Sequence, residues 1–282
     1  MTPLRQQMID AMLMRGFSPR THQSYLAVIK ELSGYYHRSP NGLSVAELEG
    51  YFMHLVKDRH LSGASCRVHL HAVRFFYLQV LHRPPFTVKF EVPKKAQRIP
   101  ELLTRSEVAR ILAATENEKQ RMLLATCYGC GLRVSELVAL KVRDIDGERR
   151  LLRVEQGKGA KDRLVEISPA LLQQLRRYWR QYRPHELLFY GLKRTTTLGV
   201  SSAQKYFTQA KRRAGIDKIG GIHSLRHAYA THQLEKGMQL PRLQQQLGHG
   251  NIKSTLRYLH WIPNYRQGSG TDLIADLEPC HG

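Results

Sequence analysis

Two blocks near the end of the chain carry side chains that handle anions: H-S-L-R-H over residues 223–227, and L-G-H-G-N-I-K-S-T-L-R-Y over 247–258. His223 and Arg226 stand three apart, so a helix would put them on one face, and His249 precedes Tyr258 by nine residues. A phenol titrates near ~10 and becomes a useful nucleophile only where cations and a base favour its ionised form. If the electrophile is a phosphodiester, charge in the transition state spreads over the non-bridging oxygens, which guanidinium forks match in pairs. Arg226 supplies one fork. The second is expected upstream, where G-C-G-L-R-V-S-E-L sets Arg133 just after a Gly-rich turn at the start of a helix, with Glu136 three residues on as its buttress.

Further cations surround these blocks. Lys158 lies in a G-K-G-A-K-D turn, where a lone lysine reads as a solvated loop residue; Lys161 and Arg163 beside it suit backbone phosphates. His227 and His232 share a helix with Arg226, His227 reading as support for the site and His232 as structural.

Arg133 in G-L-R-x-S-E-L, Lys158 in G-K-G-x-K-x-R, H-x-L-R-H at 223–227, and L-G-H followed by T-x-x-Y at 247–258 resemble the ordered signature of the tyrosine recombinases, or phage integrases. The pattern looks closest to integron or transposon-borne integrases and to Xer-type recombinases. The interval from Arg163 to His223, however, is too short for the extra helix characteristic of integron enzymes.

The resemblance implies that Tyr258 attacks a DNA phosphodiester and leaves a 3′-phosphotyrosyl bond. Arg133 and Arg226 would hold the non-bridging oxygens, Lys158 would protonate the departing 5′-oxygen, His223 would act as acid/base and His249 would bond the phosphate. No metal, cofactor or ATP is implied. The expected partner is double-stranded DNA carrying recombination sites, bound by a homotetramer that is a monomer or weak oligomer when free, with a partner recombinase or accessory DNA-bending proteins as further candidates. A type IB topoisomerase shares the chemistry, and a catalytically silent DNA-binding regulator shares the fold; both stay open as alternatives.

Composition agrees with a polyanionic partner. Forty-four Lys and Arg against twenty-three Asp and Glu give a net charge of +21. The excess is not local: residues 1–93 hold eleven basic and six acidic side chains, and 94–282 hold thirty-three and seventeen. Four cysteines in a chain of 282 residues make no disulfide framework, which fits a reducing cytoplasm. Cys127 and Cys130 form a C-x-x-C without the second pair a zinc site needs, and read as small buried residues beside the Gly-rich turn. No apolar run reaches the ~18 residues of a membrane span.

The expected fold is mainly α, in two parts. Residues 1–83 read as a four-helix DNA-binding bundle: a helix over 2–14, a second capped by Ser18 and Pro19, a third capped by Ser44, and a fourth from Ser62 to about Leu81. In the fourth, Arg67, His71 and Arg74 line up opposite an apolar set including Val68, Ala72, Phe75 and Phe76; the stripe either holds phosphates or is a solvated face. Residues 84–102, with their prolines and Lys94 and Lys95, read as a basic extended linker.

Residues 103–267 read as a mixed α/β catalytic domain. It opens on a Thr104–Glu107 capping box and holds a small antiparallel sheet over 141–167 with Leu152, Val154, Val165 and Ile167 inward. Helices follow at 169–182 and 200–214, and Lys211, Arg212 and Arg213 at the second helix's end suit a phosphate contact or the helix dipole. Pro241 to Gly248 and a short helix capped by Asn251 complete the domain. Residues 268–282 form an acidic, apolar tail expected to cover another surface, in the resembled family that of a neighbouring subunit.

Overall fold

Helix starts follow the capping signals. Ser18 accepts from the Thr21 amide (3.2 Å) with Pro19 at the first helical position, and Ser44 and Glu47 exchange reciprocal bonds (3.3 and 2.8 Å). In the computed structural model, residues 2–90, 100–155 and 162–261 are described, in two units, Met1–Arg98 and Ile99–Gly282.

The first unit contains α1 (Pro3–Met14), α2 (Pro19–Tyr36), α3 (Val45–Lys57) and α4 (Gly63–Phe75); α4 continues as a π-helical turn, Phe76–Val80. Leu32, Leu48, Phe52, Leu55, Val73 and Phe76 fill its core, each buried side chain of this kind contributing roughly 1.5–3 kcal/mol. Arg67, His71 and Arg74 share an exposed face of α4. The inner face differs from expectation by one residue. Val68 is 41% exposed, whereas His69 is buried because its Nδ1 meets the Tyr51 hydroxyl at 3.2 Å. Beyond the helices, residues 84–90 carry no regular secondary structure and lie on the bundle. Val88 is buried, Phe90 stacks on Phe52, and the Lys89 amide donates to Glu49. Lys94 and Lys95 fall outside the described residues.

The second unit contains α5 (Arg105–Ala113), α6 (Glu118–Cys130), α7 (Val134–Ala139), β1 (Ile145–Asp146), β2 (Leu151–Val154), β3 (Arg163–Glu166), α8 (Pro169–Tyr182), α9 (Val200–Arg213), α10 (His223–Glu235), α11 (Leu240–Leu247) and α12 (Lys253–Leu259). The strands pair antiparallel in the order β1-β2-β3, with Leu152 opposite Val165, and the inward set Leu152, Val154, Val165 and Ile167 is buried. The fold is therefore mainly helical with one small antiparallel sheet, as the sequence predicts.

Cys127 and Cys130 are buried beside the turn after α6, and burial pushes both thiols up to about 12, so they are inert at neutral pH. Residues 183–199, unreadable in the sequence, pack Leu188 and Phe189 into the core and bridge Lys141 to Leu187. No helix among the described residues is long and apolar enough to cross a membrane.

Candidate active site

Two glycines bring the site's elements together. Gly131 ends α6 in the left-handed region (φ +59°), and a Cβ there would stand 2.4 Å from Cδ1 of Tyr229 on α10. Gly248 ends α11 at φ +62°, where a Cβ would stand 2.7 Å from Cδ of Arg163 on β3. Helix ends present unpaired carbonyls and the negative end of the dipole, so they attract cations. Arg226 takes both ends: Nη1 donates to the Gly131 carbonyl at 2.7 Å and Nη2 to the Leu247 carbonyl at 2.6 Å. Arg133 donates to the Gly248 carbonyl at 3.0 Å.

Glu136 is the hub of these cations. Its carboxylate accepts from the Arg133 amide (2.8 Å) and guanidinium (2.7 Å), takes both Nη atoms of Arg163 at 2.8 Å, and lies 3.9 Å from Arg226. Burial alone would raise the carboxyl, but the bonds from Arg163 and Arg133 hold it at about 2. One carboxylate among three guanidiniums leaves a surplus of positive charge for an anion to meet.

Sequence reasoning anticipated the buttressing of Arg133 by Glu136. It misplaced Arg163: a side chain only 9% exposed and closed onto Glu136 and the Gln246 carbonyl is no contact for backbone phosphates.

Tyr258, on α12, is 3% exposed; its hydroxyl lies 3.1 Å from His227 Nδ1, and the positive charge of the buried Arg226 acts on it. In the Nε2–H tautomer, His227 accepts the phenolic hydrogen. The expected acid/base group, His223, sits at the first position of α10 with its ring 4.5 Å from that of His227, and the direct contact to the phenol belongs to His227. His249 stacks parallel to the Tyr258 ring (6.2 Å, 5°), and its Nδ1 meets the Thr255 hydroxyl at 2.9 Å. Trp261, which sequence reasoning passed over, stands edge-on to Tyr258 at 5.1 Å and to His227 at 5.4 Å. Its place three residues after Tyr258 on a helical path was the available signal.

Charge in the site is not set as the sequence suggests. Burial raises the Tyr258 phenol above its ordinary value, and Arg226, Arg257 and Arg133 offset only part of that rise. Burial, then His223 and Arg226, push His227 down to about 4; burial, then Arg226 and Arg133, do the same to His249. Desolvation first, then Arg226 and Arg133, also lower His223. These histidines are therefore neutral at pH 7.

A folded-state value below the unfolded one, near 6.5, means that the unfolded chain binds more protons between those values. Stability is then expected to fall as pH drops from about 6.5 toward about 4, because His227 and His249 resist protonation. Thermal unfolding from pH 7.5 to 4.5 checks this: the acidic fall should be shallower in His227→Gln and His249→Gln than in the parent.

His232 is buried with its Nδ1 3.0 Å from the Tyr128 hydroxyl, a structural histidine. Lys211 and Arg213 depart from the expected phosphate contact. The Lys211 ammonium donates to the Lys218 and Gly220 carbonyls beyond the helix, and Arg213 pairs with Glu116 at 3.3 Å. Arg212 is exposed. Asn251, expected as the cap, stands one residue before the cap position, which Ile252 takes without a side-chain bond, and its Oδ1 accepts from the Lys253 amide at 2.9 Å. Lys158, Lys161 and the acidic tail fall outside the described residues.

A mainly helical unit with a small sheet sets a buried tyrosine against arginines from separate segments. Residues 101–264 match the phage integrase family and residues 4–85 the phage integrase N-terminal SAM-like domain, so this chain belongs to the phage integrase family of tyrosine recombinases. A Sinorhizobium fredii protein named as an integrase/recombinase is 38% identical over 266 residues, 94% of this chain and 86% of that protein. The tyrosine recombinase XerD of Pseudomonas putida is 30% identical over 280 residues, 92% of each chain. The Tn1549 transposon integrase, solved in complex with transposon right end DNA, shares the fold (TM-score 0.72, 16% identity, 91% of this chain and 94% of that one).

Proposed function

We propose that this chain is a site-specific DNA recombinase that cuts and rejoins duplex DNA through Tyr258. The observation that carries the reading is a buried phenol bonded to a neutral histidine and lying in the positive field of the buried Arg226, with Arg133 held nearby by Glu136.

Because burial keeps the phenol protonated, attack needs a proton acceptor, and His227 Nδ1 is already in bonding position. As Tyr258 Oη bonds to phosphorus, its proton passes to the imidazole. The bond from phosphorus to the 5′-oxygen breaks, and Lys158, by family resemblance, protonates that oxygen. Arg133 and Arg226 hold the non-bridging oxygens, while, by family resemblance, His249 hydrogen-bonds the phosphate and His223 serves as acid/base beside His227. The phosphotyrosyl ester conserves the phosphoester bond, so a 5′-hydroxyl from a second strand reverses the step without ATP.

Exchange between two duplexes then requires four protomers, two to each site. DNA-bound integrases with this fold support integration, excision or resolution of a mobile element as the setting, in the cytoplasm and with accessory DNA-bending proteins where the site needs them. The exposed Arg67, His71 and Arg74 stripe, Arg212, and Lys94, Lys95 and Lys161 by their charge, suit backbone phosphates.

The test is a duplex from the DNA footprinted beside the native gene, nicked just 3′ of the scissile phosphate so that the short 5′-hydroxyl fragment escapes. A denaturation-resistant protein–DNA adduct is expected, with the nucleotide on the peptide containing Tyr258. DNA binding without an adduct would indicate a silent regulator. An adduct whose enzyme relaxes single-site circles but never joins two sites would indicate a topoisomerase.

A further inference from the structure

Arg163 looks like one more cation for DNA, yet it faces inward. Both of its Nη atoms are spent on Glu136 at 2.8 Å, and Nε donates to the Gln246 carbonyl at 3.0 Å. Its stem lies flat against Gly248, where a Cβ would come within 3.0 Å of Cδ, Nε and Nη1 together. One side chain therefore touches three segments that must agree. Through Glu136 it reaches the start of α7 and hence Arg133; through Gln246 and Gly248 it reaches the turn that leads into His249. Its own strand, β3, begins five residues after Lys158. A second lacing between β3 and α11, from the Glu166 amide to the Gln246 side chain at 3.1 Å, shows that this junction is built rather than incidental.

We propose that Arg163 is a positioning residue for strand cleavage, holding Glu136 so that Arg133 meets the scissile phosphate and fixing the Gly248 turn against β3. This rests on the phosphoryl-transfer reading above. The planar fork is what the position requires. Glu136 takes two parallel bonds while a third runs at an angle to Gln246, which a lysine ammonium cannot reproduce from one point.

The test is R163K, assayed for single-turnover cleavage at saturating DNA on two versions of one site: the natural phosphodiester, and a methylphosphonate at the scissile position. On the phosphodiester, cleavage should fall about 10²-fold, the scale of misplacing a catalytic group by an ångström, with DNA affinity changed by less than about threefold. The methylphosphonate carries no charge on its non-bridging oxygen and asks less of Arg133, so the loss there should shrink to under about tenfold. In an E136Q background, R163K should add little.

Equal losses on the two substrates, or a loss confined to DNA affinity, would overturn the role; so would additivity with E136Q. If R163K melts below the assay temperature, E136Q alone carries the same substrate contrast. A parent enzyme that forms no adduct overturns the cleavage reading and this role with it, whereas a cleaving parent with no substrate contrast in the variant overturns this role alone.

Discussion

Replacing Arg226 by alanine is expected to cut strand cleavage by about 10³-fold or more, the scale on which arginines that clamp a transferring phosphoryl group act. Burial first, and then Arg133, bring its guanidinium down to about 10, so it remains charged at pH 7. That charge is held at a cost, which the Gly131 and Leu247 carbonyls and Glu136 offset. Truncation removes the donor from two buried carbonyls, so a stability loss of about 3–5 kcal/mol should accompany the catalytic one.

Arg226→Lys separates the two effects. A lysine keeps the positive charge and can satisfy one carbonyl, so urea unfolding should show a smaller loss than for alanine. Cleavage should stay at least about 10²-fold down, because a point charge cannot hold the helix ends and a phosphate oxygen in one plane. A well-folded R226K that cleaves at the parent rate would remove Arg226 from the chemistry.

Where the sequence was legible, local physics carried the message. The Ser44 cap and the Thr104–Glu107 box formed because their partners lie within one helical turn, and the alternation of Leu152, Val154, Val165 and Ile167 placed the sheet because period two has few other readings. The Arg133–Glu136 contact was legible for the same reason, at three residues' spacing.

Arg163 was not legible. Its carboxylate partner lies 27 residues away in sequence and its other partner 83, and no periodicity tells an arginine that points at DNA from one that points inward. Lys211 and Arg213 repeat the point on a smaller scale, since carbonyls beyond the helix end and Glu116 claimed them. The inward place of His69 depended on a tyrosine hydroxyl from another helix, so hydrophobic phase alone assigned Val68 wrongly.

The least legible quantity was the balance of charge around Tyr258. Counting cations suggests a phenol drawn toward ionisation. The fold sets against this the desolvation of a ring only 3% exposed, and desolvation wins. The same burial keeps His227 and His249 neutral, so the site trades a preformed phenolate for a protonated nucleophile beside a ready acceptor. The acceptor that touches the phenol is four residues along α10 from the one that the family resemblance implied, and an edge-to-face contact between the two histidine rings ties them to one face.

Tyr258→Phe is therefore expected to abolish the covalent adduct entirely while leaving the protein folded and bound to DNA. Phenylalanine keeps the ring between His249 and Trp261, so the parallel and edge contacts survive. What disappears is one oxygen and its bond to His227 Nδ1, worth about 1–2 kcal/mol at most in a site where the imidazole is already neutral. DNA affinity, set by cations elsewhere meeting many phosphates, should move by no more than about twofold.

Paired with His227→Gln, the variant also orders the roles. The phenylalanine chain should give no adduct at any pH. The glutamine chain should retain a slow adduct whose rate climbs with pH, because a phenol deprived of its acceptor must lose its proton to solvent before it can attack. An adduct in Tyr258→Phe would mean that another of the thirteen tyrosines is the nucleophile, and the contact of His227 with this hydroxyl would then be packing alone.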